Sequence, residues 1–547
     1  MHEIITLQLG ELSNYAATHF WNTQVQTPAF YTTTLLESYF TYPAEDESPV
    51  NHNVHWRPGV ALDGSETFLP RTIIYDLKGG FGSLRKINAL YDASDESPPT
   101  HLWSVQSISP HQNGPLFPQS CSPHDREGSA HVHKQPEIEQ SAYQQSLDLG
   151  APAPTLKPSD VRYWSDFSRV FYHPKSLNQL YDYELNSSIM PFDKWSLGKE
   201  LFDGLDREHD IVDRDFRPFI EEADQTQGFQ IVTTIDDAWG GFATEYIQRL
   251  RDEYGKTPIW VWGLQAPAPG LMIDQRRMQA ANTARTVKDL CEHASMMVPM
   301  ALPHGRLPSN IYLNLQSLWH TSALLSTAME TATIASRLNS QVGGSSPQAS
   351  LGDLVSGLNL QGKQTMSRLQ LSVTGPKSIS SAGINHVDDH TKLDVDFFDI
   401  LRTKPLPRKR SLEESASTPH FFGHTVTTRG QAQISEDSKQ RYRPRAALVE
   451  TSTQRYHTEK GFPMLDSFPH IYPDRSDKTS PDTLGTIASL STDTSVSAAM
   501  KELRIAVASS IGVEDREDIS NELADLAEAY REGWSSGSDN DDDDDDC

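Results

Sequence analysis

The stretch that decides the fold runs from Glu221 to Tyr254, EEADQTQGFQIVTTIDDAWGGFATEYIQRLRDEY. Its centre, Phe229–Ile235, is rich in β-branched residues and reads as a strand. Gly240 and Gly241 follow, and Ala243–Tyr254 then shows helical spacing. The same rhythm recurs on both sides. Upstream, the strand Ile4–Leu9 turns at Gly10 into a helix over Asn14–Trp21, and the strand Thr72–Leu77 ends at Lys78-Gly79-Gly80 before a helix near Leu84–Leu90. Further helices are expected at Trp195–Leu201 and Asp213–Ala223. Downstream come a strand at Pro258–Leu264, a helix over Arg276–Met297 and an extended MVPMALP. Strand, turn and helix in alternation predict an α/β protein with a largely parallel sheet flanked by helices.

Composition sets the limits of that core. The chain has 547 residues, only 37% of them hydrophobic, with 34 Pro and 32 Gly. These figures suit a folded core interrupted by polar segments. Residues 1–108 form the N-terminal segment, and 109–158, rich in Pro, Ser, Gln and His, read as a disordered insertion. Core patterning resumes over 159–340. Residues 341–495 predict a second, smaller α+β domain of short strands joined by flexible loops, with islands at Val395–Leu401 and Phe462–Tyr472 and poor order through much of 405–460. Two helices follow within 496–534, where Ile519, Leu523, Leu526 and Tyr530 share one face, and 535–547 is an acidic disordered tail.

Against 47 Lys plus Arg stand 74 Asp plus Glu, a formal charge of −27 that repels phosphate backbones, so direct nucleic-acid binding is not expected. Cys121, Cys291 and Cys547 form no CxxC, which predicts no disulfide framework and a reducing compartment. No apolar run approaches the roughly 20 residues that span a bilayer. The opening MHEIITLQLG carries an acid and lacks the features of a secretory signal or a mitochondrial presequence.

Several separate blocks resemble tubulin, in tubulin's order. MHEIITLQLGELSNYAATHFWN is similar to the strand and glycine loop beneath the nucleotide phosphates. FLPRTIIYDL resembles the segment that carries an Asp-Leu-Glu turn, and the 221–254 block resembles the Gly-Phe-Gln strand, the glycine-rich phosphate loop and the helix after it. VKDLCEHASMMVPMALP is similar to the helix after tubulin's catalytic loop, and Ile519–Tyr530 with its Asp run to the last helix and acidic tail. LQLGELSNYAATHFWNTQ, RYWSDFSRVFYHPKSL and DDAWGGFA narrow the likeness: the chain is identified as a member of the Misato family, in its fungal Dml branch, related to tubulin and FtsZ. That resemblance implies a tubulin/FtsZ-like fold with a Rossmann-like sheet. It also implies a role in mitochondrial distribution, morphology and inheritance of mitochondrial DNA.

The resemblance also marks a vestigial nucleotide site at Gly10, Glu11, Asn14, Asp76, Lys78, Asp236, Asp237, Trp239, Gly240 and Gly241. Gly10 and Asn14 keep the tubulin pattern, but Glu11-Leu12-Ser13 replaces Gln-Cys-Gly, and a carboxylate beside a triphosphate is unfavourable without a cation between them. Asp76 matches, while Lys78 stands where a magnesium-facing Glu is expected. A protonated lysine cannot ligate metal, yet it can neutralise phosphate. Asp236, Asp237 and Trp239 displace small residues before Gly240-Gly241, where backbone N–H groups should meet phosphate. Trp239 either fills the vacated pocket or is an ordinary core aromatic. Of the catalytic-loop pattern, Ala284 and Val287 have lost the Gly and Asn, whereas Asp289 and Glu292 keep the acids.

No catalytic residue, metal or cofactor is therefore expected, and the function expected is a non-enzymatic protein acting through protein contacts. The alternatives are a GTP-binding, filament-forming GTPase carried by Gly10, Asn14, Asp76, Gly240, Gly241, Asp289 and Glu292, and a factor linked to tubulin assembly or to the cytosolic chaperonin. The expected location is the mitochondrion, peripheral on its cytosolic face, and the cytoplasm. Four motifs read as decoys. Gly357–Lys363 has P-loop spacing but Gln364 where a hydroxyl belongs, and Gly79-Gly80-Phe81-Gly82 lacks the full dinucleotide pattern. Cys121, His124, His131 and His133 are irregularly spaced for zinc, and Pro405–Arg410 is a basic loop.

Overall fold

Strand β1 (Glu3–Leu9) is buried at all seven positions. A strand hidden on both faces belongs inside a parallel sheet covered by helices. The computed structural model, which describes residues 2–25, 49–60, 66–84, 138–267, 270–303, 307–339, 346, 348–374, 394–401, 419–430, 453–472, 483–508, 510 and 512–531, places it there. Helix α1 (Glu11–Asn22) follows, then the hairpin β2 (Trp56–Val60) and β3 (Glu66–Pro70), and β4 (Thr72–Lys78). Helix α2 (Ala142–Asp148) precedes β5 (Leu177–Glu184), α3 (Trp195–His209) and α4 (Arg217–Glu221). Next come β6 (Thr226–Thr234), α5 (Ala238–Glu253), β7 (Ile259–Leu264), α6 (Ile273–His293) and β8 (Met296–Met300).

The strands order as β5-β4-β1-β6-β7-β8, and every neighbouring pair is parallel. The chain starts in the middle, moves out to β5, then returns beside β1 and moves out to β8. Such a reversal opens a crevice at the carboxyl ends of the central strands, the usual ligand position in this architecture.

Helix α7 (Leu318–Thr333) leads to α8 (Leu351–Leu358) and a second sheet of β9 (Arg368–Thr374), β10 (Val395–Asp396), β11 (Phe421–Arg429), β12 (Thr453–Thr458), β13 (Phe462–Pro463) and β14 (Thr483–Asp493). Its order is β10-β9-β14-β11-β12, antiparallel except for β11 with β12, and β13 pairs β14. Helices α9 (Ser495–Val507) and α10 (Val513–Ala529) close the described chain.

One core lies between the first sheet and α3, α5, α6, α9 and α10, with Tyr246, Leu250, Leu290, Leu503 and Leu523 at its centre. A second fills the space between the two large sheets. There α7 supplies Leu324, Leu325 and Ala328 against Trp260 and Trp262 of β7 and Leu369 and Leu490 of the second sheet. The expected α/β architecture, with a second sheet domain and terminal helices, is the one observed.

Several finer expectations are corrected. The disorder expected over 109–158 is corrected for 138–158, which are described and hold α2, while 109–137 lie outside the described residues. Ser141 caps α2 by accepting from Gln144 N, Gln144 Nε2 donates to the Ser165 and Ser168 carbonyls at 2.7 Å, and Tyr143 is buried. Polar residues that read as loop are thus satisfied internally. In 341–495 the strands are not all short: β11 has nine residues and β14 eleven, and β11 and β12 fall inside the 405–460 stretch expected to be poorly ordered. In β14 the buried hydroxyls pair, as Thr486 Oγ1 does with Thr331 Oγ1 at 3.0 Å and Thr492 Oγ1 with the Leu358 carbonyl at 2.7 Å. The helix expected over 213–223 begins with a π turn, Val212–Phe216. Helix α6 stops at His293, where Ser295 N donates to the Ile259 carbonyl and the chain enters β8. The expected helix near Leu84–Leu90 falls largely outside the described residues, as do the acidic tail, Pro405–Arg410, Cys121, His124, His131 and His133.

Candidate functional site

Strands β1, β4 and β6 end side by side, and the segments leaving them carry the residues singled out above. Gly10 follows β1 with φ 87°, where a residue with a Cβ is strained. Its N–H donates to the Tyr75 carbonyl at 3.1 Å, and its carbonyl accepts from Asn14 N at 2.9 Å. The helix therefore starts at Glu11, not Asn14, and Glu11-Leu12-Ser13 is a first helical turn rather than a loop.

A Cβ built on Gly10 falls 2.5 Å from Trp239 Nε1 and 2.6 Å from its Cδ1. The indole thus lies directly on the Gly10 backbone. It is 4% exposed and packs edge-on to Phe192 and Phe242, with centroids 5.3 and 5.6 Å away. Trp239 is a core aromatic and, at the same time, the group that covers the glycine turn after β1.

Asp237 is the N-cap of α5: its Oδ1 accepts from Trp239 N at 2.9 Å and from Thr234 Oγ1 at 2.6 Å. A carboxylate from the chain itself occupies the positive end of the helix, the place where an anion is favoured. Asp236 is buried, and its carbonyl accepts from Asn282 Nδ2 at 3.0 Å.

Gly240 and Gly241 are corrected from a loop to the first turns of α5. A Cβ on Gly240 falls 2.3 Å from Thr286 Oγ1 of α6, and one on Gly241 falls 2.0 Å from the Trp195 carbonyl of α3. On α3 itself, a Cβ at Gly198 falls 1.7 Å from the Ala238 carbonyl. Gly198 and Gly241 let α3 and α5 approach backbone to backbone, and Gly240 makes room for the Thr286 side chain of α6.

Asp76 is fully buried and accepts three hydrogen bonds, from Asn14 Nδ2 at 2.8 Å, Trp164 Nε1 at 3.0 Å and Leu77 N at 2.8 Å. Burial pushes its carboxyl up to about 6 despite those donors. Glu11 is pushed up to about 7, by burial first and by the charge of Asp76 second. Two acids in one cleft resist ionising together. Lys78 ends β4, partly buried, and its carbonyl accepts from Leu185 N at 3.0 Å.

Trp164 was not foreseen as part of the site. It lies 88 residues from Asp76 in sequence, and nothing local in RYWSDF signals the contact. The acids of the catalytic-loop pattern sit on α6. Asp289 is pushed up to about 6 by burial, with Lys288 and Lys199 opposing, while Glu292 is exposed and Ala284 and Val287 are buried in the core. Gly357–Lys363 begins in the last turn of α8 and follows a helix rather than a strand, so its P-loop context fails. In Gly79–Gly82, Gly80 packs on Asp76, whose Cγ lies 2.4 Å from a built Cβ. Among the described residues no group of three or more His, Cys, Asp or Glu is placed to hold a metal ion.

Two family models match the chain: a Misato Segment II tubulin-like domain over residues 2–149 and a tubulin domain over 153–338. Protein DML1 of Gibberella zeae is 46% identical over 543 residues, 98% of this chain and 99% of that protein. The chain belongs to the Misato/DML family. Protein dml-1 of Neurospora crassa is 44% identical over 581 residues and 99% of each chain. Protein dml1 of Schizosaccharomyces pombe is 31% identical over 418 residues, 74% of this chain and 80% of that one. In this Misato/DML protein both matched segments build the crevice. The first supplies Gly10, Glu11, Asn14 and Asp76, and the second Trp164, Asp237 and Trp239.

Proposed function

We propose that this Misato/DML protein is a non-enzymatic scaffold of tubulin fold. In this reading it serves mitochondrial distribution, morphology and the inheritance of mitochondrial DNA through protein contacts. The observation that carries the non-enzymatic part is the Trp239 indole seated on the Gly10 backbone. A phosphate cradle needs backbone N–H groups converging on open space at a helix N-terminus. Here the Trp239 backbone N–H donates to Asp237, the Asn14 backbone N–H to the Gly10 carbonyl, and the Asn14 side-chain amide to Asp76. Burial already raises the carboxyls of Glu11 and Asp76, to about 7 and about 6, so negative charge is disfavoured here, and a polyphosphate would meet acids rather than a counter-charge. The residues present therefore do not fit guanine nucleotide phosphates, and no hydrolytic step is derived through them.

The mitochondrial part of the reading rests on family membership. The location that goes with it is the cytosolic face of the organelle and the cytoplasm, with attachment through partners. Tubulin and the cytosolic chaperonin are the partner classes a tubulin-like surface would engage, an argument from fold alone. Nucleic acid is excluded from the reading by the net charge.

The experiment is rescue. Cells depleted of the protein should show disturbed mitochondrial distribution by microscopy, restored by the natural chain and equally by a chain with Asp289→Asn and Glu292→Gln. Normal mitochondria after depletion would contradict the cellular role. Failure of the folded double variant would contradict the non-enzymatic reading in favour of a GTPase.

A further inference from the structure

A cleft of about 330 Å³ opens between the start of α3 and the outer face of α6, with Ser510 on its third side. Lys194, Arg277 and Arg285 line it beside Trp195, Ser196 and Asn282. Arg277 and Arg285 are eight residues apart on α6 and so share a face. Lys194 is the N-cap residue of α3 and does not cap it with its own side chain; Asn282 Oδ1 accepts from Trp195 N at 3.1 Å, and the positive pole of the helix adds to the three cations. The acids facing them are Asp274, 3.7 Å from Arg277 and 94% exposed, and Asp515, 3.0 Å from Arg285 and 60% exposed. Pairs so open to water are weak and exchangeable. A cationic cleft is thus cut into a chain of net charge −27.

The same chain carries its complement. Asp539 and Asp541–Asp546 place seven carboxylates within eight residues. Helix α10 starts beside the cleft, where Asp515 meets Arg285 and Asp518 meets Lys288. Its 17 residues carry the chain about 26 Å away at 1.5 Å per residue. The ten residues 531–540 can span up to about 33 Å when extended, enough to return. We propose that the acidic run Asp539–Asp546 docks in the cleft of its own chain, against Lys194, Arg277 and Arg285, and holds this face of α3 and α6 closed to other acidic segments. Tethering sets an effective concentration on the order of millimolar, so the run outcompetes a free partner until it is displaced or screened.

The test titrates a fluorescent synthetic peptide of residues 532–546 against full-length protein. One form carries the natural tail; the other carries Asp539→Asn and Asp541→Asn through Asp546→Asn. The peptide should bind the neutralised form at least about tenfold more tightly, because the tethered competitor is gone. Lys194→Glu with Arg277→Glu, both exposed side chains, should abolish that binding. In the monomeric fraction of the natural chain, carbodiimide should cross-link Lys194 to the acidic run. Equal binding to both forms, binding that survives the charge reversals, or absence of the cross-link would overturn the proposal.

Discussion

At Gly10 two constraints meet, a backbone in the left-handed region and an indole resting on it. Gly10→Ala should cost several kcal/mol: about 1–2 from the positive φ and more from displacing Trp239. Trp239→Ala should cost about 3–5 kcal/mol through the void it leaves. The double variant should cost at least about 1 kcal/mol less than the sum, because removing the indole relieves the contact but not the torsion. Denaturant unfolding of the four proteins measures this, and strict additivity would mean that the two residues do not touch. Glu11 gives a pH prediction. Its folded value lies near 7, above the ordinary 4.5, so its contribution is fully present below 4.5 and lost as pH rises through 7. Glu11→Gln should therefore raise stability by about 2 kcal/mol at pH 8 and leave it nearly unchanged at pH 4.5, read from unfolding midpoints at the two pH values.

At the scale of elements, the glycines at the start of α5 serve helix contacts. Gly241→Ala would drive a methyl into the Trp195 carbonyl of α3 and should destabilise by about 2–4 kcal/mol, as overpacking against backbone does. Gly204→Ala, in α3 with open space around it, should stabilise by about 0.5–1 kcal/mol. Thermal unfolding separates the two; similar shifts in both would remove the packing account. This is also where sequence reading reached its limit. Buried apolar strands such as Ile4–Leu9 and Ile259–Leu264 announce themselves, because a parallel sheet leaves them no wet face. A glycine pair after a strand looks the same whether it cradles a ligand or lets helices touch, since the partner backbone lies tens of residues away. Serine and threonine strands such as β14 resemble linkers until their hydroxyls are seen to pair. The Asp76–Trp164 bond likewise has no local signature.

Among the described residues the two large sheets pack on either side of α7, and the join contains a buried ionic knot. Glu330 of α7 pairs with Arg337, just beyond the helix, and with Arg429 of β11; all three are at most 3% exposed at their side chains. Glu330→Gln removes the carboxylate that both guanidiniums share and should cost about 3–5 kcal/mol, far more than loss of an exposed pair. Arg277→Gln, at an exposed ion pair, is the control and should change stability by less than about 1 kcal/mol. Equal unfolding midpoints for the two variants would show that this join does not hold the sheets together.

Trp239, Asp237 and the Asn14–Asp76 pair occupy the crevice at the ends of β1, β4 and β6. The most direct measurement is the guanine nucleotide released when the purified protein is denatured, quantified by chromatography of the supernatant. The account predicts far less than one nucleotide per chain, even after incubation with magnesium and GTP. One GTP or GDP per chain would contradict it.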